Sequence, residues 1–382
     1  MTLELNRSQK QIQKAAWEFA RGEFDRDGLL EMEKEGRFPG KIWEKAADLG
    51  FIGLHFEEDY AGGGLGIFDT LLTAEAFCRK DSSCGMALML SGFAGELVMA
   101  AGTPDQKSRY LEPLALGQAL CGGAFFEPGS GYEPAPSLTR AVQEVGMWVI
   151  TGKKTRVVNG VGADFYPVLC EAKEGPVLIL VEKDTPGLTV TPMARKLGNT
   201  MTPWADLGFN RVKVGPDQVL GIPGKGLDLV REFLDQARLV NAGMALGIAQ
   251  GAMDRTLAYS KEREQFGRKI ASFHHLRHKI ADMALKIETA RGIAYSAARA
   301  WDNKNQAPVL PAMAMDYACE AAETVADEAV QIHGGYGYMH EGEVEHFYRD
   351  AKFLRLFCSN PGLRRDIIAD AAIGKLKPAA VK

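Results

Sequence analysis

No stretch of this chain is apolar for the roughly 18 residues that a membrane-spanning helix needs. Cysteine is sparse. The six, at positions 78, 84, 121, 170, 319 and 358, form no CxxC pair. That scatter argues against a zinc site or a disulfide framework and fits reduced thiols. Excess charge is also lacking. A net charge of −4 offers no footprint for nucleic acid or an anionic membrane. Residues 1–9 lack the apolar core of a secretory signal, so the expected location is the cytoplasm. Internal repeats and low-complexity tracts are absent. What remains is ordinary for a globular protein, 46% hydrophobic and 25% charged. A chain of 382 residues exceeds one small core, so two or three domains are expected.

The hydrophobic period divides the chain into three. The first part reads helical. Ser8 and Gln11 are spaced as a capping box, with Ile12, Ala15, Ala16, Phe19 and Ala20 following at helical spacing. Thr103, Pro104 and Gln106 supply a cap, an N1 proline and a capping-box partner for a later helix. Near Cys121 the character changes to short β-prone segments at 147–150, 155–158 and 177–181, separated by Gly- and Pro-containing turns. These suggest a β-barrel or sandwich. From Gly226 the helical period returns, in long runs over 227–264, 273–304 and 308–333. The expected class is α+β: an N-terminal helical domain (1–118), a middle β domain (119–225) and a C-terminal helical bundle (226–382).

Four motifs carry the chemistry. Glu127-Pro128-Gly129-Ser130-Gly131-Tyr132-Glu133 is a Gly-rich turn whose backbone amides can approach oxyanions closely. Gly152-Lys153-Lys154-Thr155-Arg156-Val157-Val158-Asn159 reads as a strand. Arg263-Glu264-Gln265-Phe266-Gly267 carries a guanidinium fork suited to phosphate. Gln331-Ile332-His333-Gly334-Gly335 ends a helix on glycines that permit close backbone approach. Tyr348-Arg349-Asp350-Ala351-Lys352 and Phe357-Cys358-Ser359-Asn360 follow.

Together these resemble the flavin-dependent acyl-CoA dehydrogenases over nearly the whole chain. The resemblance implies an acyl-CoA dehydrogenase-like fold whose C-terminal part is a four-helix bundle. It also implies FAD held between the β domain and that bundle, an acyl-CoA substrate, electron-transfer flavoprotein as partner, and a homotetramer or a heterotetramer with a related subunit. It assigns Phe126, Arg156 and Val158 to the flavin ring, with Phe266, Gln331, Gly334 and Gly335 on the phosphate side and Arg263 meeting the pyrophosphate from a neighbouring subunit. Gly131, Asp235 and Arg238 fall to the substrate.

The departures are as informative as the matches. The family's usual catalytic Glu is Cys358 here, and the isovaleryl-type base position is Ala237. Where the family has Thr and Trp near the flavin, this chain has Val158 and Arg156; Phe126 and Tyr132 likewise replace small hydroxyl residues. A thioester oxidation that removes an α-proton needs a base. The candidates are Cys358, His340 beside Glu341, and Glu96, a lone acid in the apolar stretch 91–101. Glu96 is the leading one, since some relatives acting on alicyclic thioesters are similar in placing an acid on this helix. Arg156 reads as an anchor for a second carboxylate or as a stabiliser of reduced flavin. Three functions follow from the resemblance. One is a dehydrogenase with a relocated base, acting on an alicyclic or dicarboxylic acyl-CoA. Another is a non-catalytic subunit of a heteromeric dehydrogenase. The third is a desulfinase or other elimination enzyme on the same scaffold.

Overall fold

The computed structural model describes residues 4–130, 134, 138–193 and 195–374. Seven helices come first: α1 (Arg7–Glu23), α2 (Arg26–Glu35), α3 (Gly40–Asp48), α4 (Ile67–Lys80), α5 (Ser82–Met89), α6 (Gly95–Ala101) and α7 (Pro104–Ala115). Helix α7 starts as its sequence predicts. The Gln106 amide nitrogen donates to Thr103 Oγ1 at 3.2 Å, and Thr103 N donates to Gln106 Oε1 at 2.9 Å. Helix α1 begins earlier than the Ser8–Gln11 spacing suggests. Asn6 caps it and Gln9 completes the box at 2.9 and 3.0 Å. Asn caps as well as Ser, and the earlier start adds helical hydrogen bonds.

The β unit is one seven-stranded sheet: β1 (Arg140–Glu144), β2 (Met147–Val158), β3 (Phe165–Ala172), β4 (Gly175–Glu182), β5 (Leu188–Pro192), β6 (Trp204–Val214) and β7 (Val219–Leu220). Their order is β5-β6-β2-β1-β3-β4-β7. The two segments expected at 147–150 and 155–158 are a single strand. Gly152 makes an irregularity in it rather than a turn, because a Cβ there would lie 2.6 Å from Thr139 Cα. A second irregularity, between Lys154 and Val157, leaves Arg156 with φ 56.

The C-terminal unit contains α8 (Gly226–Glu262), α9 (His274–Asp302), α10 (Val309–His333), α11 (Glu345–Leu356) and α12 (Pro361–Ile373). A small hairpin, β8 (Glu264–Gln265) with β9 (Arg268–Lys269), follows α8. Glycine spacing sets how closely α8 meets α4. Gly243, Gly247 and Gly251 recur every four residues, and a Cβ on each would stand 2.6, 2.5 and 2.5 Å from the carbonyl oxygens of Leu71, Glu75 and Arg79. One helix backbone therefore seats on the other along a shared ridge. No helix among the described residues is long and apolar enough to cross a membrane.

The three units meet at Asp350, on α11. Its buried carboxylate accepts from Ser82 Oγ at 2.6 Å, Ser83 Oγ at 2.7 Å and the Asn199 backbone N–H at 2.6 Å. Removing the carboxylate strands three buried donors. Asp350→Ala is expected to lose about 3 kcal/mol or more of stability in denaturant unfolding. A loss below about 1 kcal/mol would show that the junction is held by other contacts.

Candidate active site

Helices α4 to α6 and α8 bound a cavity of about 50 Å³. Its walls are mostly apolar, with Phe56, Leu90, Phe93 and Phe233 among them, but Thr70, His55, Glu96 and Asn241 also face it. Glu96 reaches it from the first turn of α6 rather than from mid-helix. Residues 91–94 form a turn, Ser91 Oγ donates back to Leu88 O at 2.7 Å, and Ala94 sits at φ 81. Gly92 and Gly95 weaken helix over this stretch, so the helix starts at Gly95.

Glu96 Oε1 lies 3.2 Å from His55 Nε2, and His55 Nδ1 lies 3.2 Å from Thr70 Oγ1. Glu96 Oε2 is buried without a hydrogen-bond partner. His55 is a site residue that motif reading misses. It stands 41 positions from Glu96, on a loop without periodic signal. Ala237 and Asn241, one turn apart on α8, line the same cavity. The vacant second base position thus faces Glu96's cavity.

Cys358 is not a usable base. It is fully buried at φ 62, and its thiol is pushed up to about 12 by burial, with the charge of Glu96 adding. Asn241, Arg238 and Arg364 pull the other way and do not win. A thiol in that environment stays protonated at neutral pH. The following residue is pinned: Arg364 Nη1 donates to Ser359 O at 2.6 Å and Arg238 Nε to Ser359 Oγ at 3.4 Å. His340 is also set aside. Its side chain is 61% exposed and pairs with Glu345 on the outer face of the C-terminal unit.

Asp235 and Arg238 form a buried ion pair beside a second pocket of about 300 Å³, lined also by Arg231, Leu234, Pro308 and Leu363. Burial pushes Asp235 up to about 6 against the pull of Arg238. Neither residue is among those lining the Glu96 cavity. Arg156 is not among them either. It stands at the β2 irregularity, its backbone N–H donating to Asp206 Oδ1 at 3.0 Å.

The Gly-rich loop is anchored from within. Glu127 accepts from Lys154 Nζ at 2.7 Å and from the Leu138 and Thr139 amides at 2.8 and 2.9 Å. Gly131, with Tyr132 and Glu133, lies outside the described residues. Phe126 and Val158 are both buried. Trp204 pairs directly opposite Val158 on β6, and its Nε1 donates to Asn199 Oδ1 at 3.1 Å. Aromatic contacts run from Trp204 to Phe357, from Phe357 to Phe93, and from Phe93 to Phe233, with centroids 5.0 to 6.0 Å apart. They connect the strand face to the cavity wall. On the other side, Gly334 ends α10 at φ +60, and a Cβ at Gly334 or Gly335 would meet nothing within 4 Å. Gln331 and Phe266 are exposed, Phe266 at 92%. The Arg263 guanidinium lies 5.9 Å from the Tyr336 ring centroid. Open glycine backbone beside an arginine fits a pyrophosphate. The residues therefore suit the phosphate half of a flavin dinucleotide, and they offer its ring end an apolar, aromatic surface. All six cysteines are buried. Native protein at about pH 8 is expected to leave them unlabelled by iodoacetamide, and denatured protein to label all six; rapid native labelling of Cys358 would restore it as a candidate base.

Comparison with known proteins gives the arrangement its context. The acyl-CoA dehydrogenase N-terminal, middle and C-terminal domain profiles match residues 6–118, 123–212 and 224–373. A probable acyl-CoA dehydrogenase of Bacillus subtilis, YngJ, is 34% identical over 376 residues, 97% of this chain and 99% of its own length. The caffeyl-CoA reductase-Etf complex subunit CarC of Acetobacterium woodii is 32% identical, covering 96% of this chain and 98% of its own. The structure of butyryl-CoA dehydrogenase from Megasphaera elsdenii superposes with a TM-score of 0.93 at 29% identity, over 98% of this chain and 100% of that one. The chain belongs to the acyl-CoA dehydrogenase family, flavin-dependent oxidoreductases that act on the CH–CH bond of acyl-CoA thioesters.

Proposed function

We propose that this protein oxidises the Cα–Cβ bond of an acyl-CoA with Glu96 as the base. One observation carries the reading: Glu96 lines the cavity that Ala237 also lines, and its Oε2 is buried and unpaired. A carboxylate oxygen without a donor in an apolar wall is costly unless a ligand completes it. His55 holds the other oxygen and fixes the carboxylate's orientation. The α-proton passes to Glu96 Oε2 while the new C=C bond forms. Bound FAD would supply the acceptor for the β-hydrogen as hydride, and the electrons would pass on to an electron-transfer flavoprotein. Arg263, Gln331, Gly334 and Gly335 are the residues that would hold the FAD phosphates.

The cavity's aromatic and aliphatic walls suit an uncharged acyl group, branched or alicyclic. Arg156 stands apart from that cavity, which weighs against a second carboxylate on the substrate. A soluble location in the cytoplasm fits this chemistry.

A second reading rests on a different observation. Val158, Phe126 and Trp204 close the strand face where the ring of a flavin is expected, and none of the three is more than 5% exposed. This favours a subunit that works beside a related, flavin-bearing chain in a heteromer.

Two measurements separate and test these readings. Purified chain is expected to carry visible flavin absorbance that acyl-CoA thioesters bleach. A colourless protein that takes up no FAD on reconstitution would establish the heteromer reading instead. Glu96→Gln is expected to bind acyl-CoA but to bleach at least about 10²-fold more slowly. An unchanged bleaching rate would remove Glu96 from the mechanism.

A further inference from the structure

Two residues that line the cavity each carry a buried side-chain atom without a hydrogen-bond partner, and the two atoms are of opposite kinds. Glu96 Oε2 is an acceptor and Asn241 Nδ2 is a donor. Asn241 is 1% exposed and sits on α8, one turn beyond the vacant Ala237. Neither atom meets a strong partner in the fold: Oε2 has none, and the Asn241 amide has beside it only the Cys358 thiol, a weak acceptor. A buried amide donor so weakly met calls for an acceptor supplied by the ligand.

An acyl thioester supplies the complement of both atoms. Its carbonyl oxygen accepts a hydrogen bond, and its adjacent α-carbon carries the proton that a base removes. We infer that Asn241 Nδ2 donates to the thioester carbonyl oxygen and stabilises the enolate that forms as Glu96 takes the α-proton. The assignment rests on Glu96 being the base. In the step, the α-C–H bond breaks and its proton goes to Glu96 Oε2. The electron pair moves into the Cα–C bond, and the carbonyl π pair moves onto oxygen, where Asn241 meets the growing charge. A preformed donor aimed at developing charge in a dry site is the strongest single aid to such a step. Cys358 sits beside Asn241 as a neutral thiol and offers no competing charge.

Enolisation runs without electron transfer, so it can be read apart from turnover. The full-length chain is incubated with butyryl-CoA in D₂O, and loss of the α-proton signal is followed by proton NMR. Asn241→Leu, which keeps the branching but is larger and has no donor, is expected to slow exchange about 10²-fold. Its calorimetric affinity for butyryl-CoA should change much less. Asn241→Ser, which keeps a smaller donor, should recover part of the rate and guards against a folding defect in the Leu variant. Exchange at the wild-type rate in Asn241→Leu overturns the inference, as does a slowing accounted for by lost affinity or a wild-type chain that exchanges nothing. Full exchange in Glu96→Gln together with loss in Asn241→Leu would keep the donor and overturn the base.

Discussion

A single buried carboxylate, Asp350, holds the three structural units in register. An ionised group in the interior is tolerated only when donors surround it, and here each donor comes from elsewhere in the chain. Two are hydroxyls of α5, and the third is a backbone amide of the segment leading into β6. The adjoining Arg349 extends the junction to the Leu197 carbonyl at 3.1 Å. The cavity lies between the N-terminal helices and α8, and the aromatic contacts run between β6 and the end of α11. The cavity needs the N-terminal and C-terminal units in register, and the aromatic contacts need the β unit as well. The junction is therefore the precondition for a site rather than part of its chemistry.

Around that frame, the acid that lines the cavity, Glu96, stands at neither position to which the family resemblance points. The two positions expected to hold a carboxylate are an alanine on α8 and a buried thiol after α11. Glu96 stands in the first turn of α6, two residues after Ala94 in left-handed backbone. Ala94, Arg156 and Cys358 all have positive φ without being glycine. Such conformations are strained and persist only where surrounding contacts impose them.

Much of the fold was legible in the sequence because it is written locally. The helical, β, helical order follows from periodicity, and α7 announces its start through Thr103, Pro104 and Gln106. Errors arose where two local signals compete. Asn6 and Ser8 can both cap α1, and Gly152 serves a turn or a strand irregularity equally well. Glu96 could be singled out because an acid in an apolar stretch is anomalous. His55, Asn241 and Trp204 could not. Each is an unremarked residue made important by a neighbour 41 or more positions away, or by a partner strand, and no spacing rule connects them. Cys358 differs in the opposite sense: its position suggests chemistry, while its burial pushes the thiol away from ionisation.

The glycine seam between α4 and α8 bears on what this pocket can evolve to accept. Two of its walls are joined backbone to backbone, so no side-chain exchange along Gly243, Gly247 and Gly251 can draw them apart without breaking the contact. Thr70 lies beside Leu71, where the seam begins, and Asn241 lies just before Gly243. The span between them is thus set by main chain, and is as invariant as a helix diameter. Diversification toward larger or differently shaped acyl groups is channelled into the segments at 51–56 and 88–93, whose side chains form much of the remaining wall. The molecule behaves as a fixed jaw opposed by an adjustable one.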